Sequence, residues 1–383
     1  MFFGASADIP LEGNEKILQD EPDVQCRNQP QIFRGMEYPP GTKYDLEYAD
    51  LDALDISRLD TLEGKQELAA KVSSFVSKNA FFYVKGHGLT GDRIKRQYSI
   101  ARELFNLPLE EKLHYLANTR AGDFRGYKPR STGELGARDN DERYNIPKLT
   151  PEHGRLRPQL IHDHLEEIKD FSLHIHDQIL VPLLQLFAYI PEIDEDYFVS
   201  RHRYEAKGLE YLSYMQYLPR TEAEDAAVNN ICPRGHADYN ALTFLFHQPV
   251  SDLQVQTPDG WKYVKSFEDT IIVNVADALE FWSRGYLKST VHRVIRPPPD
   301  QADKPRLSLI YFARPEADIE LAPVQSPLLQ RLGLQSSTED VPRGVTAEEW
   351  ARARIAKDHR FRTGVVQKGE GEIIAGVQEK FYD

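Results

Sequence analysis

The sequence has few cysteines and no long apolar run, and both shortages narrow the classes of protein to which it can belong. Its 383 residues include only two cysteines, Cys26 and Cys232. Two cysteines cannot build the disulfide framework of a small secreted protein, so we expect a reducing, cytoplasmic setting. A transmembrane helix needs about 18 consecutive apolar residues, and the sequence has no such stretch. The opening MFFGASAD lacks the charged segment and the long apolar segment of a signal peptide.

Positive charge is scarce relative to negative charge. The chain has 47 lysines and arginines against 60 aspartates and glutamates, which gives a formal net charge of −13. With no basic stripe, this balance argues against nucleic acid or an anionic membrane as the main partner. Hydrophobic residues make up 40% of the chain, so a packed core is expected rather than global disorder. We therefore expect a small-molecule partner and a protein that is a monomer or a weak homodimer.

The sequence pattern changes from helical to β-rich about halfway along the chain. The longest helical pattern covers 160–190, where Pro182 predicts a kink or a junction. From about Leu209, short β-prone runs follow one another with turn signals between them, which is typical of a sandwich or barrel. Helical character returns at 346–357, with Thr346 as the N-cap. We expect five regions: an irregular lead-in over 1–45, an N-terminal region over 46–150, a helical support over 151–205, a β core over 206–325, and a C-terminal helix with a mobile tail over 326–383.

Two histidines and one aspartate in the β-rich half have the residue types and spacing of metal ligands. His236 and Asp238 are two residues apart at the entry to a predicted strand, so their side chains face the same side of extended chain. His292, on another predicted strand, is the best candidate for a third ligand. Two histidines and one carboxylate that leave open positions are typical of non-haem Fe(II) oxygenases. The same set also suits zinc.

A second pair of residues predicts an anion site. Arg306 and Ser308 are again two residues apart on a β-prone run, so a guanidinium and a hydroxyl share one strand face. That pair suits a carboxylate. An arginine on an otherwise apolar strand is costly to bury without an anionic partner. From the residues alone, that partner is either a bound ligand or a protein carboxylate.

The order of these motifs resembles the signature of the 2-oxoglutarate and Fe(II)-dependent dioxygenases, and most closely their isopenicillin N synthase-like branch. The resemblance covers roughly residues 46–325. Beyond the five residues, it rests on further segments: AFFYVKGHGL at 80–89, LPLEEK at 107–112, Gly126-Tyr127, Glu142, LQVQ at 253–256 with DGW at 259–261, and the stretch from 273 to 294 that leads to His292.

The resemblance implies a fold, a reaction and a set of cofactors. The fold would be α+β with a mainly β core, a double-stranded β-helix or jelly-roll barrel, with N-terminal helices packed on one sheet and a C-terminal helix. His236, Asp238 and His292 would bind Fe(II), and Arg306 with Ser308 would hold the far carboxylate of 2-oxoglutarate. O2 would be the other cosubstrate, with ascorbate as a stimulant. The reaction would be hydroxylation, desaturation or ring formation on a small, largely apolar metabolite of secondary metabolism, with 2-oxoglutarate converted to succinate and CO2.

The same resemblance suggests where the organic substrate lies. Four aromatic residues are candidates for the walls of its site: Phe124, Tyr127, Phe246 and Phe312. The segment after 345 is a candidate lid.

One position departs from the family pattern. Leu218 stands where many members that use 2-oxoglutarate have a tyrosine, so one hydrogen bond to the cosubstrate is either absent or supplied by a neighbour such as Tyr214 or Tyr217. Three alternatives therefore remain open: an oxidase that does not use 2-oxoglutarate and whose Arg306 holds the carboxylate of its substrate, a zinc hydrolase or lyase, and a non-catalytic barrel.

Overall fold

The computed structural model of the protein describes residues 37–77, 80–130, 140–227, 235–334, 344–362, 372–374 and 377–378. Most of the predicted lead-in and tail, and both cysteines, lie outside these residues. The described strands are β1 (Ala53–Asp55), β2 (Phe81–Lys85), β3 (Gly126–Lys128), β4 (Asp141–Pro147), β5 (Tyr211–Tyr217), β6 (Leu242–Phe246), β7 (Leu253–Thr257), β8 (Gly260–Tyr263), β9 (Ile271–Val275), β10 (His292–Val294), β11 (Arg306–Ala313), β12 (Glu372–Ile374) and β13 (Val377–Gln378).

A large sheet and a small sheet form the centre of the fold. Within the described residues, the large sheet has eight strands in the order β1-β2-β9-β6-β11-β5-β4-β3. β1 runs parallel to β2, and every other neighbouring pair in this sheet is antiparallel. The small sheet is antiparallel, in the order β10-β7-β8. Strands from 46–150 and from 206–325 thus belong to one sheet, although they are distant in sequence.

The large sheet has an inner face, which contacts the small sheet, and an outer face, which packs on helices. Phe81 and Ile272 on the inner face share an apolar cluster with Leu253 and Val255 of β7. On β11, alternate residues such as Leu309 and Tyr311 lie on the outer face, in the main core that also contains the helices. This arrangement confirms the predicted jelly-roll core with helices on one sheet.

The helices surround the outer face and the ends of the large sheet. Their bounds are α1 (Leu62–Phe75), α2 (Gly91–Phe105), α3 (Leu109–Leu113), α4 (Gln159–Asp163), α5 (Leu165–Ile175), α6 (Val181–Tyr189), α7 (Asp196–Val199), α8 (Glu222–Ala227), α9 (Asp277–Trp282), α10 (Pro327–Arg331) and α11 (Ala347–Arg362). The pattern predicted over 160–190 is therefore interrupted. A π-helical turn at His176–Leu180 comes just before Pro182, as expected where a proline removes a backbone donor. None of the described helices is long and apolar enough to cross a membrane.

The C-terminal helix α11 is capped as the sequence predicts and packs on the rest of the fold. Thr346 Oγ1 accepts the Glu349 N–H at 3.2 Å, and Glu349 Oε2 accepts the Thr346 N–H at 2.9 Å. This reciprocal arrangement is a capping box, which satisfies two donors at the start of a helix. The Trp350 ring lies 5.0 Å from that of Phe281 on α9, in an edge-to-face contact. The helix is thus fixed against the end of the barrel.

Two of the four residues predicted to line the substrate site lie on the outer face, so the prediction is wrong for these two. Phe246 is fully buried, and its ring lies 5.3 Å from that of Phe171 on α5. Tyr127 is 1% exposed and donates a 2.6 Å hydrogen bond to Glu142, whose carboxylate also accepts from Lys112 at 3.2 Å. The reason is strand alternation, because adjacent residues of a strand face opposite sides. Both aromatic residues belong to the core between sheet and helices.

Phe246→Ala therefore tests the assignment of this residue to the core. Removing a fully buried phenylalanine should lower the free energy of unfolding by about 3–5 kcal/mol, because it leaves a cavity against α5. Urea unfolding followed by circular dichroism measures the change. Leu156→Ala is the control, since Leu156 is 69% exposed and its loss should change stability by less than about 0.5 kcal/mol. A Phe246→Ala protein as stable as the control would show that this residue is not part of the core.

Candidate metal and cosubstrate site

The three predicted metal ligands meet at one point between the two sheets. Residues 236 and 292 form an antiparallel bridge, with each backbone N–H donating to the other carbonyl at 3.0 Å. Asp238 Oδ1 lies 3.8 Å from His236 Nε2 and 3.9 Å from His292 Nε2. One ligand atom from each side chain lies within 4.8 Å of the other two. The three donors can therefore contact a single cation.

Hydrogen bonds from the large sheet hold the Asp238 carboxylate in place. Its Oδ2 accepts from Thr243 Oγ1 on β6 at 2.6 Å and from Asn274 Nδ2 on β9 at 3.1 Å. Burial by itself raises the pKa of Asp238, but the His292 and His236 rings and these two hydrogen bonds hold it below its ordinary value. The carboxylate thus stays ionised, with Oδ1 facing the two histidines. This donor set fits Fe(II) bound by two imidazoles and one carboxylate.

Arg306 and Ser308 lie on the inner face of the same barrel, where two of their polar atoms have no hydrogen-bond partner in the part of the chain that the structure describes. The Arg306 guanidinium is buried, lies 4.0 Å from the centre of the Tyr217 ring, and donates from Nη1 to Asp252 Oδ1 at 2.6 Å. Among the described residues, neither Arg306 Nε nor Ser308 Oγ has a hydrogen-bond partner. Buried polar atoms are nearly always hydrogen-bonded in native proteins. A ligand carboxylate would satisfy both atoms.

The sequence did not decide whether a ligand or a protein carboxylate pairs with Arg306. In the structure, Asp252 is one such partner. Burial raises the pKa of Asp252 to about 6, against the opposing effect of Arg306. The pair joins residues 54 positions apart, so no local sequence signal could have connected them. Asp252 occupies one side of the guanidinium and leaves Nε available.

The strand register also decides which tyrosine can replace the one missing at Leu218. Tyr214 faces outward, and its hydroxyl donates to Gln97 Oε1 at 2.7 Å. Tyr217 lies opposite Arg306 in the register of β5 and β11, so it faces the interior. Only Tyr217 of these two is placed to contact a cosubstrate at Arg306.

Of the two remaining predicted lining residues, Phe312 lies on the inner face, and Phe124 contacts an inner-face residue through its backbone. Phe312 pairs in register with Thr243, the residue that holds Asp238, and its ring lies 5.0 Å from that of Tyr211. The carbonyl of Phe124 accepts a 2.7 Å hydrogen bond from Asn145, an inner-face residue of β4. Their role in the substrate wall stays a prediction.

A jelly-roll barrel that brings two histidines and one carboxylate together at its interior is typical of the non-haem iron oxygenases. Residues 205–315 match the model of the 2OG-Fe(II) oxygenase superfamily. Residues 51–165 match the family described as non-haem dioxygenase in morphine synthesis N-terminal. The chain belongs to the 2-oxoglutarate and Fe(II)-dependent oxygenase family, whose members use Fe(II), 2-oxoglutarate and O2.

Whole-chain relatives agree with this assignment. The chain is 32% identical to the 2-oxoglutarate-dependent dioxygenase frbH of a Dothideomycetidae species, over 73% of this chain and 80% of the relative. It is 30% identical to a UPF0676 protein of Schizosaccharomyces pombe, over 80% and 93% of the two chains. It is 28% identical to leucoanthocyanidin dioxygenase 2 of rice, over 75% of each.

Solved structures show the same fold. A full-length Neurospora crassa protein, crystallised in complex with alpha-KG, superposes with a TM-score of 0.68 at 24% identity, over 79% of this chain and 95% of that one. A putative 2OG-Fe(II) oxygenase family protein from Caulobacter crescentus gives a TM-score of 0.66 at 21% identity, over 80% and 99% of the two chains. The similarity extends over nearly the whole length of both solved structures.

His236→Ala, Asp238→Ala and His292→Ala should each abolish stoichiometric Fe(II) binding, because a site with three protein ligands loses most of its affinity with one of them. Metal content after anaerobic purification and loading measures this. His114→Ala serves as the control, since His114 is exposed at the C-terminal end of α3. Full iron occupancy in all three ligand variants would contradict the assignment.

Thr243→Val should weaken Fe(II) binding by about 10–100-fold, the usual effect of removing a hydrogen bond that orients a metal ligand. The substitution removes the 2.6 Å contact to Asp238 Oδ2 and keeps nearly the same side-chain volume. Competition with a chelator of known affinity measures the change. An unaltered affinity would mean that Asn274 alone orients the carboxylate.

Proposed function

We propose that this protein oxidises a small organic molecule in a reaction that requires Fe(II), 2-oxoglutarate and O2. In this proposal His236, Asp238 and His292 bind the iron, and Arg306 with Ser308 binds the far carboxylate of 2-oxoglutarate. Bound Fe(II) would supply the activation of O2. Relatives named as 2-oxoglutarate-dependent and leucoanthocyanidin dioxygenases support a role in the oxidation of small metabolites.

The pair of unsatisfied atoms at Arg306 and Ser308 is the observation on which the proposal mainly depends. A guanidinium N–H and a hydroxyl, both buried, face the same interior as the metal ligands. A dicarboxylate with a keto group could contact this pair at one end and the metal at the other. A zinc hydrolase would leave these two atoms without a function, which favours the oxygenase.

The residues of the chain contribute positioning and exclusion of water. The Tyr217 ring and the Asp252 carboxylate fix the Arg306 guanidinium, so little side-chain freedom remains to be lost when a ligand binds. The buried apolar cluster of Phe81, Val255 and Ile272 lowers the polarity of the interior between the sheets. In such a low-dielectric interior a charge-assisted hydrogen bond is stronger than in water.

Succinate formation tests the overall reaction. Anaerobically purified protein, loaded with Fe(II) and then supplied with O2 and 2-oxoglutarate, should produce succinate, and replacement of the iron by Zn(II) should abolish it. Succinate that is absent with iron, together with hydrolytic activity that depends on zinc, would favour the hydrolase.

Arg306→Ala should weaken 2-oxoglutarate binding by tens-fold or more. Removing one member of a buried charge pair costs about 2–5 kcal/mol, and about 1.4 kcal/mol corresponds to tenfold in affinity. Calorimetric titration of the iron-loaded protein without O2 measures the dissociation constant. Arg331→Ala is the matched control, because Arg331 forms an exposed ion pair with Glu192 on the surface.

Ser308→Ala provides a second test that leaves the ion pair with Asp252 intact. It removes one hydrogen bond to a charged group, worth about 1–3 kcal/mol, so the loss of affinity should be smaller than in Arg306→Ala. If both variants bound 2-oxoglutarate normally but lost affinity for the organic substrate, the oxidase that does not use 2-oxoglutarate would be the better assignment.

The partner and the location remain part of the proposal. The net charge of −13 supports a small-molecule partner rather than nucleic acid. We propose a cytoplasmic monomer or weak homodimer. Light scattering coupled to size-exclusion chromatography should give a mass between 44.0 kDa and twice that value, falling toward the monomer on dilution.

A further inference from the structure

We propose that the organic substrate carries an anionic group, in the simplest case a carboxylate, and that Arg314 binds it beside the metal site. This inference rests on the proposed function and adds the chemical class of the substrate. It gives the barrel two separate anion sites, one at Arg306 for the cosubstrate and one at Arg314 for the substrate.

Arg314 is a buried arginine at the end of the barrel that carries Asp238. It follows β11 directly, two residues after Phe312, and it is 4% exposed. Its guanidinium lies 4.7 Å from the centre of the Tyr211 ring and 4.7 Å from that of Tyr239. Tyr239 follows the metal ligand Asp238 in sequence. The guanidinium therefore packs on the residue that follows a metal ligand, where the end of β11 is hydrogen-bonded to the segment that contains that ligand.

The Arg314 guanidinium is incompletely satisfied. Nη1 donates to the Leu209 carbonyl at 2.8 Å and Nη2 to the Tyr211 hydroxyl at 3.2 Å. Nε is buried and, among the described residues, has no hydrogen-bond partner. An arginine stays protonated in a protein interior. A buried N–H of its guanidinium that has no acceptor therefore lowers the stability of the fold, unless a ligand accepts from it.

Arg314 also differs from two other buried arginines of the fold in how its charge is paired. Arg306 is paired with Asp252 and Arg220 with Asp225, both through buried carboxylates. No carboxylate of the described residues forms an ion pair with the Arg314 guanidinium. Burial acts to lower the pKa of Arg314, but Tyr211 and Tyr239, through their charge and their hydrogen bonds, hold it above its ordinary value. The nearby Glu210 uses its carboxylate on the Tyr311 hydroxyl and on the backbone N–H of Arg314. A bound anion would supply the missing countercharge.

A second arginine adds to the positive potential at the same place. Arg354 of α11 is 5% exposed and donates from Nη2 to the carbonyl of Ala237, the residue between the ligands His236 and Asp238, at 3.2 Å. Its guanidinium lies 5.8 Å from the centre of the Tyr239 ring. Two guanidinium groups, one from the barrel and one from the C-terminal helix, therefore flank the same tyrosine.

The neighbouring side chains indicate what the rest of the substrate is like. Phe312 and Tyr211 pack together on the inner face next to Arg314. A flat, apolar body with an acidic end would contact these rings and place its charge on the guanidinium. The expected apolar substrate is thus refined to an apolar acid.

A matched pair of ligands, an acid and its amide, tests this. The protein loaded with Fe(II) and 2-oxoglutarate, in the absence of O2, is titrated with 4-phenylbutanoate and with 4-phenylbutanamide by calorimetry. The two probes have the same body and differ in charge. The acid should bind about 10–100-fold more tightly, the range expected for hydrogen bonds to a charged group. Equal affinities, or an acid that does not bind, would overturn the inference.

Substitutions test which residues cause the preference for the acid over the amide. Arg314→Gln should remove the preference for the acid, Arg314→Lys should restore part of it, and Arg354→Gln should reduce it. Arg201→Gln is the control, because Arg201 stacks on the Tyr197 ring at 3.6 Å and donates to the Tyr197 carbonyl at 2.7 Å, but lies on the helical side of the fold. Thermal melting checks that each variant folds. If Arg314→Gln does not fold, Arg354→Gln decides, and an unchanged preference there counts against the proposal.

Titration with 2-oxoglutarate distinguishes a failure of the proposed function from a failure of the inference about the substrate. Failure of 2-oxoglutarate to bind the iron-loaded wild-type protein would remove the proposed function and this inference with it. Normal binding of 2-oxoglutarate, with acid and amide bound equally, would remove only the inference about the substrate.

Discussion

The pair of backbone hydrogen bonds between His236 and His292 is the constraint on which the site depends. It joins the segment before β6, in the large sheet, to the first residue of β10, in the small sheet. The backbones of the two histidines are hydrogen-bonded to each other, so their imidazole rings lie side by side, with centroids 4.5 Å apart. Asp238 then needs only two hydrogen bonds from β6 and β9 to complete the donor set.

The buried arginines of the barrel are stabilised in different ways. Arg306 is neutralised by Asp252, whereas Arg314 contacts aromatic rings, one backbone carbonyl and one tyrosine hydroxyl. A buried ion pair contributes little net stability, but breaking one is costly. A core of apolar residues of similar volume would be at least as stable, so stability alone does not account for these buried arginines, and the proposed binding of anions does.

The sequence predicted the position of the ligands better than that of the substrate walls. His236 and Asp238 share a side because they are two residues apart in extended chain, and the backbone bridge between residues 236 and 292 brings His292 to them. Phe246 and Tyr127 were misplaced because the apolar character of a strand residue does not reveal which of two buried faces it occupies. In this fold both faces of the large sheet are covered, one by helices and one by the small sheet, so aromatic residues occur on either side.

The sequence by itself determined the alternation of each strand, the caps of its helices and the residue types that suit iron and a carboxylate. These are local properties, set by periodicity and by chemistry within a few residues. Only the tertiary structure decided that Asp252 pairs with Arg306 across 54 positions and that Arg354 reaches Ala237 across 117. The physical reason is that the sequence of a strand determines which of its residues share a face. The register with neighbouring strands then determines which residues that face contacts.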